Sequence, residues 1–107
     1  MSYVYLASPY SHADASVRES RYEAASYATA HLLNQRTWVY SPIVHCHELA
    51  KKFDLPTDFK FWKDYNFAML SHARKLIILR CDGWEASKGV AAEKIEAERL
   101  NIPVEYL

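Results

Sequence analysis

Short apolar or aromatic segments alternate along this chain with longer amphipathic segments, and no low-complexity linker separates them. The strand-like segments carry the β-branched and aromatic residues typical of buried strands, and they lie at residues 3–7, 37–41, 76–79 and 102–107. Leu76–Leu79 is apolar on both faces, as a central parallel strand should be. The pattern predicts the order βαβαβαβ. We therefore expect a small doubly wound α/β domain, flavodoxin-like or Rossmann-like, with a mainly parallel sheet of about four or five strands flanked by helices.

Length and charge restrict the domain organisation and the classes of partner. The 107 residues match one domain, residues 1–107, and the formal net charge of zero gives no long-range attraction to a nucleic acid polymer or a membrane. The N-terminus lacks a basic region, and no apolar run reaches the ~20 residues that span a bilayer. Cys46 and Cys81 lack metal-site spacing and fit reduced packing residues. We expect a cytoplasmic protein.

The helix signals differ in strength along the chain. The first helix is expected to begin near Ser16, because Ser16-x-x-Glu19 has the spacing of a capping box. Pro42 stops the second strand, and residues 43–57 carry weak signals, with at most a short helix at 47–52. Asp58 is expected to cap a third helix.

Three segments follow expected strands or precede an expected helix, and they define a candidate site. In open parallel sheets, ligands bind outside the carboxyl ends of the strands. Residues 8–10, 41–43 and 82–89 lie at those ends and offer hydroxyl groups, an aromatic ring and a helix N-terminus with unpaired N–H groups. Such a cleft suits a nucleoside or nucleotide. The alternative is that the two Ser-Pro pairs merely end strands and that Tyr10 covers the sheet.

Glu93 is unusual because it shares the apolar face of the last expected helix. It follows Val90 by three residues and precedes Ala97 by four. A carboxylate with apolar neighbours is poorly solvated, yet near a helix N-terminus it can stay ionised and reactive. The alternative is that Glu93 pairs with a lysine or arginine and only stabilises the fold.

The segments that define this candidate site resemble those of a known protein superfamily. Residues 5–10 read Tyr-Leu-Ala-Ser-Pro-Tyr, residues 41–43 read Ser-Pro-Ile, and residues 87–93 follow Ser-x-Gly-Val-x-x-Glu. Together they resemble the nucleoside 2-deoxyribosyltransferase superfamily over nearly the whole chain, in particular a small branch that also carries Gly-Trp-Glu-x-Ser-x-Gly. The spacing at residues 87–93 is also similar to that of the 2′-deoxynucleoside 5′-phosphate N-hydrolases.

The resemblance implies a reaction and a set of site residues. Glu93 would attack C1′ of the deoxyribose and expel the base, leaving a glycosyl-enzyme that water or a second base resolves. Ser87 would suit a 5′-phosphate, with Gly89 allowing close backbone approach, although Ser87 is equally well explained as a helix cap. The expected substrate-binding residues are Tyr5, Ala7, Ser8, Pro9, Tyr10, Ser41, Pro42, Gly83, Trp84, Ser87 and Gly89.

One position departs from the superfamily, which places an aspartate on the preceding helix near the sugar and the departing base. Counting back without a gap from Leu76–Leu79, that position falls on Asn66. An asparagine can hydrogen-bond a hydroxyl group but cannot shuttle a proton. Asp64 is about 200° away around the helix axis and would serve only after a register shift. The candidate catalytic residues are therefore Glu93, Asn66 and Asp64.

Other polar and aromatic residues give weaker signals. His45 and His47 alternate without a third spaced ligand, so we expect no metal; they fit residues that flank the cleft or cap a short helix. Arg21 fits a surface or interface charge, with contact to an anionic substrate as the alternative. Trp84 fits either a lid over the base or an aromatic packed on a neighbouring helix.

Two function classes follow from these residues. The first is an N-glycosidase or deoxyribosyltransferase of nucleotide metabolism that acts on a deoxynucleoside or its 5′-monophosphate, without a cofactor. The alternative is a non-catalytic nucleotide-binding or sensing protein that keeps the pocket. Relatives in the superfamily often complete each site with a neighbouring subunit, so a homodimer or larger homo-oligomer is expected.

Overall fold

Residues 2–107 form four strands and four α-helices, and two helices in succession, instead of the expected one, separate the second strand from the third. The computed structural model describes residues 2–107, so Met1, the first residue of the expected domain, lies outside the described residues. The elements are β1 Val4–Ala7, α1 Ala15–Asn34, β2 Val39–Tyr40, α2 Pro42–Phe53, α3 Phe59–Ser71, β3 Lys75–Ile78, α4 Lys88–Arg99 and β4 Val104–Tyr106, with a short 3₁₀ helix at Trp84–Ala86. No helix of residues 2–107 is long and apolar enough to cross a membrane.

The four strands form one parallel sheet in the order β2-β1-β3-β4. This confirms the doubly wound α/β fold that the sequence predicts. Tyr5 at the centre pairs with Tyr40 of β2 on one side and with Leu76 of β3 on the other. The strand order reverses between β1 and β3, so the crevice for a ligand is expected at their carboxyl ends.

Both faces of β1 are buried, and alternate residues point to different helices. Val4 and Leu6 join a cluster with Leu32 of α1, whereas Tyr5 and Ala7 join a cluster on the other face. That second cluster includes Leu70 of α3 together with Val90 and Ala97 of α4. The helices therefore cover both faces of the sheet.

The start of α1 differs slightly from the sequence expectation. The helix begins at Ala15, and Asp14 caps it, because the Asp14 carboxylate accepts a hydrogen bond of 2.8 Å from the backbone N–H of Ser16. Ser16 is therefore inside the helix, and the capping box expected at Ser16 and Glu19 is wrong.

The segment after β2 differs more from the expectation. Pro42 begins α2 instead of lying in a loop, because proline lacks the N–H that a first helical residue leaves unpaired. Ser41 caps this helix by accepting a hydrogen bond of 3.2 Å from Val44 N–H. The helix continues to Phe53 and ends at Asp54, which has a left-handed φ of 54°. The cap predicted at Asp58 is confirmed at α3.

Candidate functional site

A cavity of about 520 Å³ lies at the carboxyl ends of β1 and β3. Its wall is formed by the loop after β1, Arg21 of α1, the first three turns of α2 and of α3, the first two turns of α4, and the segment around Gly83. Eight of the residues expected in the site line this cavity: Ser8, Tyr10, Pro42, Asn66, Gly83, Ser87, Gly89 and Glu93. The structure therefore brings together residues from four separate segments of the chain.

The other six expected site residues lie elsewhere among residues 2–107. Tyr5 is behind the cavity wall, where it contacts Glu93, and Ala7 and Pro9 are buried. Ser41 caps α2, and Asp64 is exposed. Trp84 packs against the ring of Tyr106 at 5.9 Å and against the core, as in the packing interpretation of this residue.

Glu93 is the only acidic group that is buried in the cavity wall within the described part of the chain. It lies in the second turn of α4 and is 4% exposed. The hydroxyl group of buried Tyr5 donates a hydrogen bond to Glu93 Oε2. Burial raises the pKa of Glu93 to about 7, and the Tyr5 hydrogen bond opposes that shift. A carboxyl group with a pKa near neutrality can lose its proton at neutral pH and then act as a nucleophile.

Two buried polar atoms of the cavity wall have no partner within residues 2–107. These are Oγ of Ser8, directly after β1, and Oδ1 of Asn66 in α3. Buried polar groups in folded proteins are almost always hydrogen-bonded, so each such atom calls for an explanation. A hydroxyl-bearing ligand would satisfy both, because the Ser8 hydroxyl both donates and accepts and the Asn66 oxygen accepts.

The first turn of α4 presents Ser87 and Gly89 to the cavity. Ser87 caps the helix, as the sequence predicts, by accepting a hydrogen bond of 3.2 Å from Val90 N–H. Gly89 lies against an aromatic ring, because a Cβ placed there would be 3.2 Å from Cδ1 of Phe59. A helix N-terminus with a glycine in its first turn is suited to hold an anionic group.

Arg21 of α1 also lines the cavity. Its Nη1 donates to the carbonyl oxygens of Ser11 at 2.9 Å and Tyr10 at 3.4 Å. Its guanidinium also lies over Gly83, where a Cβ would be 2.5 Å from Nη2. Gly83 has a left-handed φ of 87°, so a side chain there would strain the backbone, and the Arg21 guanidinium would have to move to make room for it. Among residues 2–107, no carboxylate pairs with Arg21 within 4 Å, so its charge is available to a ligand.

Phe59, Trp62 and Ile43 provide an apolar part of the cavity wall. Trp62 is oriented by a hydrogen bond of 2.8 Å from its Nε1 to the Pro56 carbonyl oxygen. Aromatic side chains of this kind can stack on a planar heterocycle. The cavity therefore combines a carboxyl group, hydroxyl-binding atoms, a cationic group and aromatic rings.

His47 also lines the cavity, consistent with the expectation that it flanks the cleft, whereas His45 is exposed. Ligating atoms of Glu19, His47 and Glu48 lie within 4.8 Å of one another, which is a possible metal-binding arrangement. However, the Lys51 ammonium group is 3.3 Å from Glu19 and 3.7 Å from Glu48. A cation of the protein itself therefore already balances these two carboxylates.

Sequence reasoning did not assign Arg21, Phe59 or Trp62 to the site. Arg21 had a usable signal, because it follows Val17 by four residues and precedes Ala25 by four. It therefore interrupts the apolar face of α1, as Glu93 does on α4. Phe59 and Trp62 had no such sequence signal, because aromatic residues at helical spacing equally predict core packing.

Comparison with known proteins adds a family but no activity. Residues 2–107 match the model of a protein family described as Domain of unknown function (DUF1937). No curated protein matches the chain.

Proposed function

The chain belongs to the DUF1937 family, and from the chemistry of its cavity we propose that it is an N-glycosidase or deoxyribosyltransferase with Glu93 as nucleophile. The substrate is a deoxynucleoside or, as Arg21 favours, its 5′-monophosphate. The family description assigns no activity, so the relationship to the nucleoside 2-deoxyribosyltransferase superfamily is part of this proposal.

The observation that carries the proposal is the burial of the Glu93 carboxyl group in the wall of a ligand-sized cavity, and this burial raises its pKa to about 7. Taking a glutamate out of water destabilises its charged form, so the position is unfavourable for a residue with only a structural role. The same poor solvation makes the ionised carboxylate a better nucleophile at C1′. In the double-displacement reaction, the C1′–N bond breaks as the bond from C1′ to a Glu93 oxygen forms.

The rest of the cavity fits the parts of a nucleotide. Ser8 and Asn66 present unpartnered polar atoms to which sugar hydroxyl groups can bond, considering residues 2–107 alone. Phe59 and Trp62 offer surfaces for the base. Arg21 and the N-terminus of α4 at Ser87 supply the positive potential that a phosphate requires.

The experiment is chromatographic detection of free base from each common deoxynucleoside and deoxynucleoside 5′-monophosphate. Base release that Glu93→Ala abolishes supports the proposal. Glu98→Ala is the matched control, because Glu98 lies on the same helix but is exposed. The proposal is wrong if the wild-type protein releases no base from any of these compounds.

Asn66 favours a second candidate function, a non-catalytic nucleotide-binding or sensing protein. Its amide lines the cavity. The resemblance to the superfamily implies a proton-transferring aspartate at this position, and an asparagine cannot transfer a proton. A monophosphate that raises the melting temperature without releasing base would favour this function.

We also propose that the protein forms a homo-oligomer. Size-exclusion chromatography with light scattering would test this.

A further inference from the structure

Three polar side chains form a continuous chain of hydrogen bonds from the surface to the cavity. Glu19 Oε1 is 3.0 Å from Nε2 of His47, and Nδ1 of His47 is 2.6 Å from the hydroxyl oxygen of Tyr10. His47 is 3% exposed and stacks on the ring of Tyr22 at a centroid distance of 4.3 Å. Tyr10 and His47 both line the cavity that contains Glu93.

The charge on Glu19 determines where the protons lie along this chain of hydrogen bonds. Glu19 is ionised, because its hydrogen bond to His47 and the nearby Lys51 ammonium hold its pKa below the usual value. A carboxylate only accepts, so Nε2 of His47 carries a proton. In the neutral ring Nδ1 then accepts from the Tyr10 hydroxyl. When the ring is doubly protonated, Nδ1 donates to Tyr10 and the hydroxyl proton is free to point into the cavity.

Resting on the proposed function, we propose that Tyr10 is the catalytic proton donor to the departing base and that His47 and Glu19 supply its proton. In the first step, the C1′–N electron pair goes to the base, which takes the Tyr10 hydroxyl proton, while Glu93 bonds to C1′. His47 returns its Nδ1 proton to Tyr10 and becomes neutral. In the second step, water attacks C1′ and Glu93 leaves as a carboxylate. The water proton passes to Tyr10, whose own proton returns to His47.

Four other polar side chains of the cavity wall are less suited to this role. Asn66 cannot transfer a proton. Asp58 is exposed and its carboxylate caps α3 by accepting from Phe61 N–H at 3.2 Å. His12 is exposed and its Nδ1 accepts from Asp14 N–H at 3.0 Å. Burial raises the pKa of the Cys46 thiol to about 11.

A comparison of two leaving groups separates proton donation from binding or folding. The first substrates are the common deoxynucleoside 5′-monophosphates, whose bases need a proton to leave. The second is 4-nitrophenyl 2-deoxy-β-ribofuranoside 5-phosphate, whose nitrophenolate leaves without one. Tyr10→Phe should lower kcat/KM for the nucleotides about 100-fold or more but change that for the nitrophenyl substrate by less than about threefold. Glu19→Gln should also lower kcat/KM for the nucleotides selectively, by about tenfold, because the protonated His47 loses its counter-charge.

Matched controls exclude a general effect of the substitutions. Tyr27→Phe removes a hydroxyl from the same region of the chain, but Tyr27 is 82% exposed on α1 and should leave both rates unchanged. Melting temperatures of all variants identify any unfolding.

The proton relay would be overturned if Tyr10→Phe lowered kcat/KM equally for both substrates or lowered it for neither. Wild-type cleavage of the nitrophenyl substrate without base release from any nucleotide would overturn both the relay and the proposed N-glycosidase function, and would leave only cleavage of an activated sugar. Cleavage of neither substrate would overturn the relay together with the proposed function.

Discussion

The hydroxyl group of Tyr5 donates a hydrogen bond to the Glu93 carboxyl group across 88 residues of sequence, and both residues are buried. The contact joins the central strand β1 to the helix α4 at the cavity wall. Burial disfavours the charged form of Glu93, whereas the hydrogen bond favours it. Burial dominates, so this carboxyl group releases its proton near neutral pH.

The raised pKa predicts that Glu93 lowers the stability of the protein as pH rises. At pH values below 4.5, the carboxyl group is protonated in both the folded and the unfolded protein. Between 4.5 and about 7, the unfolded protein loses this proton first, so folding becomes less favourable. Glu93→Gln keeps the shape without the charge, and it should be more stable than the wild type at pH 8 by up to about 3 kcal/mol. Urea unfolding at pH 4 and pH 8 measures the difference.

The pH dependence of that difference is the decisive observation. It should vanish near pH 4 and reach its full size above pH 7. Glu98→Gln is the control, because Glu98 is exposed on the same helix and should show no comparable trend. A stability difference that is equal at both pH values would contradict the burial of an ionisable Glu93.

Tyr5→Phe should move the ionisation of Glu93 to higher pH. The substitution removes the hydrogen-bond donor that lowers the Glu93 pKa while the burial that raises it remains. The pH at which base release reaches half its maximum should therefore rise, and stability at pH 8 should fall by about 1–3 kcal/mol. A pH–rate profile and denaturant unfolding measure the two effects. An unchanged profile would show that Tyr5 does not control this carboxyl group.

Much of the fold and part of the site could be predicted because local signals agree with the tertiary structure. The apolar residues at Leu76–Ile78 predict a buried strand, and Ser87 precedes an amphipathic segment that forms α4. Glu93 is noticeable because a charged residue interrupts an apolar face. In each case, the physical cause of the local structure lies in one residue or in a few adjacent residues.

The rest depends on contacts that adjacent residues do not encode. The segment from Pro42 to Phe53 forms a helix that packs on α1, and its buried residues Cys46, His47 and Ala50 recur at helical spacing. A histidine and a cysteine on the buried face obscure this pattern in the sequence. His47 becomes significant only when the fold brings Glu19 and Tyr10 to its two ring nitrogens. The charge of Arg21 on the apolar face of α1 is visible in the sequence, but its hydrogen bond to the Ser11 carbonyl oxygen of the loop after β1 is not.

Arg21 should distinguish deoxynucleoside 5′-monophosphates from deoxynucleosides. Arg21→Gln removes the positive charge at the cavity, so the KM for monophosphates should rise about 10-fold to 100-fold. The KM for the corresponding deoxynucleosides should change by less than about threefold, since they carry no phosphate. Arg99→Gln is the control, because Arg99 is exposed and pairs with Glu96 at 2.7 Å. Equal changes for both substrate classes would show that Arg21 does not bind the phosphate.

Gly83→Ala should reproduce part of the Arg21 effect without changing a charged residue. The new Cβ would lie 2.5 Å from Nη2 of Arg21, so the guanidinium must move, and the φ of 87° is unfavourable for alanine. We expect weaker monophosphate binding and a stability loss of about 1 kcal/mol or more. Combining the variant with Arg21→Gln should then add little to the change in binding, because the displaced group is already gone. Additive effects in this double-mutant cycle would mean that Gly83 acts independently of Arg21.

Ser87→Ala should affect both stability and phosphate binding, because the hydroxyl caps α4 and faces the cavity. Loss of the cap should lower the free energy of unfolding by about 1 kcal/mol. Asp14→Ala provides the comparison, since Asp14 caps α1 but does not line the cavity formed by residues 2–107. Both variants should be less stable than the wild type, but only Ser87→Ala should bind monophosphates more weakly in isothermal titration calorimetry. If the two variants bind monophosphates as tightly as the wild type, Ser87 serves only as a helix cap, and the phosphate must be held by other groups such as Arg21.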